Sequence, residues 1–304
     1  MKKDLLSIQD LGSQEIFEII NLAEDIKANP SRYQDALKGK SIGLIFQKPS
    51  NRTRVSFEIG MFQMGGHSIY LGSSEIGMGG RESVKDVACV LSRYLNGIVA
   101  RTYKHEVIEE LARYASIPII NGLSDMAHPC QALGDIFTIE EKFGTLERIT
   151  ISYIGDGNNV LNSLMCLASK LGIDMKVATP KHYAPDKEVI SIARAFAAKS
   201  GANLDISNDP KRAARDADVL YTDVWVSMGQ EKEAAKRIRE FKRFQLNDKL
   251  VKLAKKTHAV MHCLPAHRGQ EISDSVMDSR HSIVYDQAEN RMHVQKAILL
   301  KLLK

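Results

Sequence analysis

Short apolar runs alternate with helix-like stretches along most of this chain. Nine of the runs have the length of β-strands: 41–46, 68–71, 97–101, 117–120, 149–154, 175–179, 204–207, 219–222 and 258–264. Apolar runs that alternate with helical patterns are typical of parallel β/α units. The pattern therefore predicts an α/β protein with two doubly wound parallel sheets, the first from four runs and the second from five.

A helical segment at 128–144 separates the two sets of strands. It ends at Gly144, which suits the C-terminal cap of a helix, and we place the domain crossover there. The last segment, 286–304, has apolar residues at helical spacing and would pack back on the first domain. We expect an active-site cleft between two predicted domains: 1–140 with 287–304, and 141–286.

Composition and charge exclude several classes of protein. The net charge of +5 is small for 304 residues and the basic residues are spread out, so we predict no nucleic-acid partner. The four cysteines form no Cys-x-x-Cys pair, which argues against a zinc ribbon and favours a reducing compartment. The chain has neither a signal-peptide pattern nor an apolar run of membrane-spanning length. We therefore expect a soluble cytoplasmic protein without a membrane partner.

Five polar residues follow the first predicted strand and open a helix-like stretch: Ser50, Asn51, Arg52, Thr53 and Arg54. The backbone N–H groups at a helix start favour an anion, and the side chains add donors that suit phosphate oxygens. The same segment is a competent N-cap with two solvated arginines, so by itself it supports both interpretations. It lacks the P-loop pattern of nucleotide sites, and the ligand class that it favours is a phosphorylated small molecule.

Other polar residues stand just past further predicted strands. They are Arg101, His128, Asn158 with Asn159, Asp223, and His262 with Cys263. Ligands of open parallel sheets bind beyond the carboxyl ends of the strands. We therefore expect these residues to converge on one site.

The segment His128-Pro129-Cys130-Gln131 lies where a loop enters a helix, and Pro129 suits the first helical turn. His128 can donate a hydrogen bond to a developing oxyanion, and Gln131 can accept one from an amide. A lone histidine is more often a helix cap or a packed core group. The company of Gln131 and the other motifs favours the functional interpretation here.

The segment 223–229 follows a predicted strand and contains the only tryptophan of the chain, Trp225. A carboxylate at a strand end, such as Asp223, beside a glycine-hinged loop suits the recognition of an ammonium group. The alternative is a turn with one aromatic anchor.

Two other motifs suggest different chemistry, but neither pattern is complete. In the segment 155–160 the third glycine of a dinucleotide fingerprint is replaced by Val160, so we predict no nicotinamide cofactor. The segment His262-Cys263-Leu264-Pro265 suggests a metal or a thiol, yet His267 is its one nearby further ligand, and we predict no metal. A structural strand end is the alternative for this second motif.

Five motifs in this order and spacing closely resemble the signature set of ornithine carbamoyltransferases. The resemblance extends from about residue 5 to residue 291, and its motifs are Ser50-Asn-Arg-Thr-Arg54, His128-Pro-Cys-Gln131, Asp223-Val-Trp-Val-Ser-Met-Gly229, His262-Cys-Leu-Pro265 and Glu289-Asn-Arg291. The resemblance implies carbamoyl transfer from carbamoyl phosphate to the side-chain amine of L-ornithine, most naturally in arginine biosynthesis. It also implies a homotrimer, or a multiple of trimers, that needs no cofactor.

The resemblance assigns roles to individual residues. The residues implied to bind carbamoyl phosphate are Ser50, Asn51, Arg52, Thr53, Arg101, His128, Pro129, Cys130, Gln131, Cys263, Leu264 and Arg291. Those implied to bind ornithine are Asn159, Asp223, Ser227 and Met228. The catalytic set that it implies is Arg52, Thr53, Arg101, His128, Gln131, Asp223 and Cys263.

Two positions depart from the common family pattern. Asn51 replaces a threonine, but it keeps a polar group and the backbone donors. Gly77 replaces a glutamine that often reaches carbamoyl phosphate, which would change the affinity for that substrate, and Arg81 or Glu82 could compensate.

Two alternative functions remain open from the sequence. The first is a carbamoyltransferase for another amine, such as putrescine or an acylated ornithine. The second is a non-catalytic protein that binds a phosphorylated metabolite. Asp223 favours a free amino acid, because a substrate without an ammonium group would leave the carboxylate unpaired at a cost of roughly 1–3 kcal/mol.

Overall fold

The computed structural model describes residues 4–227 and 229–304, in which the chain forms two compact units. Unit 1 contains Met1–Phe137 and Asn290–Lys304, and unit 2 contains Thr138–Glu289. Each unit has its own parallel sheet. The division falls inside the helix that the sequence predicts at 128–144.

The sheet of unit 1 has the strand order β2-β1-β3-β4, and all of its strand pairs are parallel. Its strands are β1 (Ser41–Phe46), β2 (His67–Gly72), β3 (Gly97–Arg101) and β4 (Ile119–Leu123). Every residue of β3 is buried, as expected for a near-continuous apolar strand in the middle of a parallel sheet.

The sheet of unit 2 has the order β7-β6-β5-β8-β9, again with parallel pairs. Its strands are β5 (Thr150–Ile154), β6 (Asp174–Ala178), β7 (Leu204–Ser207), β8 (Val219–Thr222) and β9 (Ala259–His262). One buried apolar cluster contains Ile154 of β5, Leu220 of β8 and Val260 of β9.

The helices connect the strands and close each unit. In chain order they are α1 (Ser13–Ala28), α2 (Asn51–Gln63), α3 (Ser73–Ile76), α4 (Val84–Tyr94), α5 (His105–Tyr114), α6 (Pro129–Phe143), α7 (Asn159–Lys170), α8 (Lys187–Ser200), α9 (Pro210–Ala214), α10 (Ala234–Phe241), α11 (Asp248–Val251), α12 (Asp274–Met277) and α13 (Val284–Leu303). In the described part of the chain, no helix has the length and apolar character that crossing a membrane requires.

The predicted parallel α/β architecture is confirmed. Five of the nine predicted strands have different bounds in the structure, and two of these differences have a clear physical reason. Strand β4 continues past the predicted 117–120 because the buried Asn121 satisfies its amide by donating to the carbonyl of Leu6 at 2.8 Å. Strand β9 stops before the predicted end of 258–264, since Leu264 has a φ of +58°, which no strand residue adopts.

Each sheet has one point at which the direction of winding reverses. In unit 1 the reversal lies between β1 and β3, because β2 lies outside β1 on one side and β4 lies outside β3 on the other. In unit 2 the reversal lies between β5 and β8. Ligands of doubly wound sheets bind at the carboxyl ends of the strands beside such a reversal. The segments that follow β1, β3, β5 and β8 are therefore the first candidates for a site.

Candidate active site

The start of α2 confirms the N-cap interpretation of the motif after β1. Ser50 is the cap: its Oγ accepts a hydrogen bond from the Thr53 N–H at 3.3 Å and lies 3.0 Å from Thr53 Oγ1. Asn51 is exposed and Arg52 is half-buried. A cap of this kind leaves the other N–H groups of the first turn directed outwards, so the cap and an anion site are compatible.

Arg54 contacts residues outside this helix start. Its Nε donates to Glu58 at 2.9 Å, and its guanidinium carbon lies 3.8 Å above the ring centre of Tyr70. Arg54, one of the phosphate donors predicted from the sequence, thus contacts α2 and β2 through its Nε and the face of its guanidinium group. The spacing of four residues between Arg54 and Glu58 explains the contact with α2.

A chain of buried polar side chains joins three helices in unit 1. Arg291 Nη2 donates to Thr53 Oγ1 at 3.0 Å, and its Nη1 donates to Gln131 Oε1 at 3.0 Å. Gln131 Nε2 in turn donates to Asp135 Oδ1 at 2.8 Å. All four residues are buried. The structure thus brings together Ser50, Thr53, Gln131 and Arg291, four of the residues that the resemblance assigns to carbamoyl phosphate.

The close approach of two helix backbones makes this chain of contacts possible. A Cβ atom on Gly134 of α6 would lie only 3.2 Å from the Cα of Arg291 on α13. A larger residue at position 134 would therefore push α13 away and lengthen the contacts of Arg291.

His128 lies directly before α6 in a positively charged environment. It is buried, and its carbonyl accepts from the N–H groups of Gln131 and Ala132 at 3.1 and 3.2 Å. Burial, and then the charges of Arg291 and Arg101, hold the pKa of His128 well below its usual range. The imidazole is therefore neutral near pH 7 and can act as an uncharged hydrogen-bond donor.

Arg101 is the last residue of β3 and is buried. Its charge acts on Lys48, a residue that the predictions from sequence did not include. Burial, and then the charge of Arg101, lower the pKa of Lys48. Lys48 Nζ lies 4.7 Å from the ring centre of Tyr103. Its position between β1 and Ser50 was the available signal. Cations gathered in this way create a positive field that suits a phosphate.

The side chain of Cys130 does not take part in chemistry. It is fully buried, and its Sγ lies 3.6 Å from the carbonyl oxygen of Asn121. Burial raises the pKa of this thiol to about 12, so the thiolate does not form near neutral pH. Pro129 begins α6, the position that its missing N–H makes favourable.

Gly77 adopts a backbone conformation that favours glycine. Its φ is +60°, and a Cβ atom would lie 2.9 Å from the Cβ of Arg81. A glutamine at position 77 would be strained in this backbone conformation. This strain is a local reason for the glycine that stands there in place of the glutamine of the family pattern. Arg81 Nη2 donates to the carbonyl of Glu75 at 3.0 Å.

Asp223 is the centre of a second cluster, which lies in unit 2. Its Oδ2 accepts from Asn158 Nδ2 at 2.7 Å, and its Oδ1 accepts from the Val224 N–H at 2.8 Å. The Sγ of Cys263 lies 3.0 Å from the same Oδ1. Strands β8 and β9 are neighbours, so the residues just past their ends meet. The structure thus joins Asp223 with Cys263, as predicted.

Asn158 supports Asp223, a role that the sequence analysis did not assign. Its Oδ1 caps α7 by accepting from the N–H groups of Val160 and Leu161, so its amide nitrogen is left to donate to Asp223. An asparagine just before a helix was the signal for this. Asn159, the predicted ornithine ligand, is the first residue of α7 and is half-buried.

The loop after Asp223 turns back on itself at Ser227. The Ser227 N–H donates to Gln230 Oε1 at 3.1 Å, and its carbonyl accepts from the Gln230 N–H at 3.0 Å. Ser227 is half-buried. Met228, the other predicted ornithine ligand of this loop, lies outside the described residues.

Asp223, His262 and Cys263 have potential metal-ligand atoms within 4.8 Å of one another. Both nitrogens of His262 are nevertheless engaged. Its Nδ1 accepts from the Leu264 N–H at 2.9 Å, so the proton is on Nε2, which lies 3.0 Å from Glu271 Oε1. A metal would have to displace one of these bonds. The bond from the Leu264 N–H to His262 instead stabilises the turn at Leu264.

Comparison with known protein families agrees with this geometry. Residues 3–141 match the carbamoyl-P binding domain of aspartate/ornithine carbamoyltransferase, and residues 147–302 match its Asp/Orn binding domain. The two matches follow each other along the chain without overlap.

Individual relatives cover almost the whole length. The anabolic ornithine carbamoyltransferase of Pyrococcus furiosus is 52% identical over 302 residues, which are 98% of this chain and 95% of that protein. The catabolic ornithine carbamoyltransferase of Thermoplasma acidophilum is 49% identical over 302 residues, 99% of each chain. The solved structure of the P. furiosus enzyme gives a TM-score of 0.95, with 52% identity and coverage of 97% and 95%. The chain therefore belongs to the aspartate/ornithine carbamoyltransferase family, within its ornithine carbamoyltransferase branch.

Proposed function

We propose that this enzyme transfers the carbamoyl group of carbamoyl phosphate to the side-chain amine of L-ornithine, which yields L-citrulline and phosphate. The buried contacts of Arg291 with Thr53 and Gln131 are the observation that carries the proposal. They place a fixed cation beside an amide and a hydroxyl in one buried cluster, and these are the donors and acceptors that a carbamoyl phosphate needs.

In unit 1, the start of α2 and the buried cations would hold the phosphate. Ser50, Asn51, Arg52 and Thr53 offer the backbone and side-chain donors of the first helical turn. Arg101 would bridge the phosphate and the carbonyl oxygen. Gln131 would fix the carbamoyl amino group, together with the backbone of His128-Pro129-Cys130, of Cys263 and of Leu264, and Arg291 completes this set.

In unit 2, Asp223 would receive an ammonium group of ornithine. Its carboxylate is buried, and Asn158 orients it through a bond of 2.7 Å. Asn159, Ser227 and Met228 complete the proposed contacts to the amino acid. Cys263, at 3.0 Å from Asp223, would lie beside the nitrogen that reacts.

The chemistry needs a neutral amine and a stabilised oxyanion. The amine nitrogen attacks the carbonyl carbon, and the electron pair of the C=O bond moves onto oxygen. That pair re-forms the C=O bond as the bond from carbon to the phosphate oxygen breaks, phosphate leaves with its electrons, and the nitrogen loses a proton. Arg101, Thr53 and the neutral His128 would donate to the oxygen while it is negative, and fixed donors do this better than water that must reorient.

Product formation from carbamoyl phosphate tests the proposal directly. Ornithine, putrescine, acetylornithine and aspartate are supplied in parallel to the wild-type enzyme, and kcat/KM is measured for each. We expect by far the highest value for ornithine, with citrulline as product. A higher value for another amine would move the assignment to that substrate, and turnover with none would favour a protein that only binds a phosphorylated metabolite.

We also propose that the reaction serves arginine biosynthesis in the cytoplasm. The four cysteines are thiols, which fits a reducing compartment. Expression of this chain in a bacterium that lacks its own ornithine carbamoyltransferase should restore growth without arginine. No growth, despite active enzyme in the extract, would contradict the biosynthetic role.

An exposed apolar stripe on α2 supports the proposed homotrimer. Val55, Ile59 and Phe62 lie on one side of the helix and are 48%, 40% and 77% exposed. A contiguous exposed apolar patch commonly marks a protein interface. Phe62→Glu should convert trimers to monomers in light scattering, whereas Phe17→Glu, at an exposed phenylalanine of α1, should leave the trimer intact. A trimer that survives Phe62→Glu would exclude this interface.

A further inference from the structure

Arg237 is a buried arginine that no predicted role accounts for. It belongs to α10 and is only 6% exposed. Its Nη1 donates to Asp156 Oδ2 at 3.0 Å and to the carbonyl oxygen of Trp225 at 2.8 Å. Charged residues are rarely buried unless they are paired, and here each proton of Nη1 has its own buried acceptor.

The two partners of Arg237 belong to the two segments that form the Asp223 cluster. Asp156 lies in the turn after β5, two residues before the Asn158 that supports Asp223. Trp225 lies in the loop after β8, midway between Asp223 and Ser227. We call residues 223–227 the acceptor loop. One guanidinium group therefore sets the spacing between the Asp156 turn and the acceptor loop.

The Asp156 turn is a rigid support for this connection. The Gly157 N–H donates to the carbonyl of Tyr183 at 2.9 Å. A Cβ atom at Gly157 would lie 2.5 Å from backbone atoms of Tyr183, Ala184 and Pro185, so this turn packs directly against another backbone segment. The acceptor loop is thus tied to a turn of unit 2 that packs closely against the backbone of residues 183–185.

Aromatic rings enclose the guanidinium group. Its central carbon lies 4.6 Å from the ring centre of Tyr183 and 5.8 Å from that of Phe241. The ring of Trp225 is 5.8 Å from the same Phe241 ring. Cation–π contacts and ring packing therefore hold Arg237 in the orientation that its hydrogen bonds require.

At its first residue the acceptor loop is also joined to the turn after β5, because Asn158 Nδ2 donates to Asp223 at 2.7 Å. The Val224 N–H donates to Asp223, and the Ser227 N–H donates to Gln230. These last two bonds are local, so Arg237 is the side chain that joins the middle of the loop, at the Trp225 carbonyl, to the Asp156 turn. A buried ion pair by itself is weak evidence for stability, because apolar residues of equal volume often serve as well. The pair of Arg237 with Asp156 is better explained by the geometry that it imposes on the loop.

We propose that Arg237 is a positioning residue that holds the acceptor loop at the distance from β5 at which it binds the amino-acid substrate. The inference rests on the proposed function, since it assumes that this loop binds ornithine. Arg237 acts through the Trp225 carbonyl and does not touch the substrate. Its loss should therefore weaken ornithine binding and leave carbamoyl phosphate binding unchanged.

Steady-state kinetics of Arg237→Met test this assignment. We expect the KM for ornithine to rise at least about 10-fold, while the KM for carbamoyl phosphate stays within about 2-fold of wild type. Trp225 is the only tryptophan of the chain and is 2% exposed, so its fluorescence reports the seating of the loop. We expect its emission to shift towards the red in the variant as water reaches the indole.

Two further variants complete the experiment. Arg243→Met removes a nearby exposed arginine that stacks on Phe244 at 5.2 Å, and it should change neither KM nor the emission. Arg237→Lys keeps the charge but loses the planar fork, so the KM for ornithine should rise by less than in Arg237→Met. Arg237→Lys also supplies the measurement if Arg237→Met does not fold.

The outcomes separate the inference from the function on which it rests. An unchanged KM for ornithine in a folded Arg237 variant, or an equal rise of both KM values with unchanged tryptophan emission, would overturn the positioning role. Failure of the proposed function would appear earlier, as absence of ornithine turnover in the wild-type enzyme.

Discussion

The two clusters follow the same topological rule but are built differently. Each lies at the carboxyl ends of the strands beside the reversal of its sheet. The unit 1 cluster consists of buried cations and amides fixed on helices and strand ends, with Arg291 at its centre. The unit 2 cluster consists of one buried carboxylate, Asp223, supported by a turn and a loop.

The difference reflects the ligands that each cluster is proposed to bind. A phosphate has one geometry and a high charge, and fixed donors that need no rearrangement bind it best. An amino acid must be distinguished from other amines, and a buried carboxylate that requires an ammonium partner provides such selection. Substitutions in unit 1 should therefore impair the carbamoyl donor, and substitutions in unit 2 should impair the acceptor.

The largest effect is expected from Asp223→Ala. It removes the proposed ammonium partner, and we expect kcat/KM for ornithine to fall at least about 1,000-fold, as for loss of a buried charged partner. Carbamoyl phosphate should still bind, which calorimetry would measure. Asp205→Ala, at an acid on the edge strand that pairs with Arg212, serves as the control. Equal loss of both ligands in Asp223→Ala would point to a folding defect instead.

Arg291→Met should give the next largest effect. It leaves Gln131 Oε1 without its buried donor, which costs about 1–3 kcal/mol, whereas Thr53 Oγ1 keeps the bond from Ser50 Oγ at 3.0 Å. We expect kcat/KM for carbamoyl phosphate to fall by several hundred-fold, on the order expected for loss of a buried charge contact. An unchanged Kd for carbamoyl phosphate would remove Arg291 from the proposed pocket.

His128→Ala should lower kcat by about 100-fold, a typical loss for one oxyanion donor. The pKa of His128 is lowered, so its imidazole is neutral in the wild-type enzyme at pH 6.5 and above. We therefore expect no change of kcat with pH in that range from protonation of His128. His67→Ala, at an exposed histidine of β2, should keep full activity. Near-normal turnover of His128→Ala would refute the assigned role.

The smallest effect concerns stability in unit 2. Burial raises the pKa of Asp156 from 3.8 to about 6, against the lowering influence of Arg237. The folded state therefore binds this proton more tightly than the unfolded state, so the stability that it contributes is present below about pH 4 and is lost as the pH rises through about 6. Wild type should lose about 2 kcal/mol relative to Asp156→Asn between pH 4 and pH 7, measured by chemical denaturation. A constant difference would show that Asp156 does not titrate there.

Much of the fold could be predicted from single residues and periodicity. Strands β1, β3, β7 and β8 have the predicted bounds. Mostly apolar runs predict β1, β3 and β8, and the alternation of apolar and polar residues in Leu204–Ser207 predicts β7. The start of α2 was equally clear, since Ser50 provides a local cap. The extension of β4 was not predictable, because the satisfaction of Asn121 depends on Leu6, which is distant in sequence.

The same distinction holds for the candidate site. Ser50, Thr53, His128 and Asp223 could be identified because each stands beside a strand end or helix start. Lys48 and Arg237 were missed, because a lysine in a turn and an arginine in a basic helix usually face solvent. The contact of Arg54 with Glu58 was predictable as well, since the two residues are one turn apart on the same helix.

Three features follow from the sequence alone: the alternation of strands and helices, the polar segments at the strand ends and the resemblance to ornithine carbamoyltransferases. These features depend on local periodicity, local caps and the order of motifs. The tertiary structure decided which polar residues share a partner: Arg291 with Thr53 and Gln131, Cys263 with Asp223, and Arg237 with Asp156 and Trp225. The physical reason is that the packing of strands and helices brings together residues 12 to 238 positions apart, and no local pattern encodes that packing.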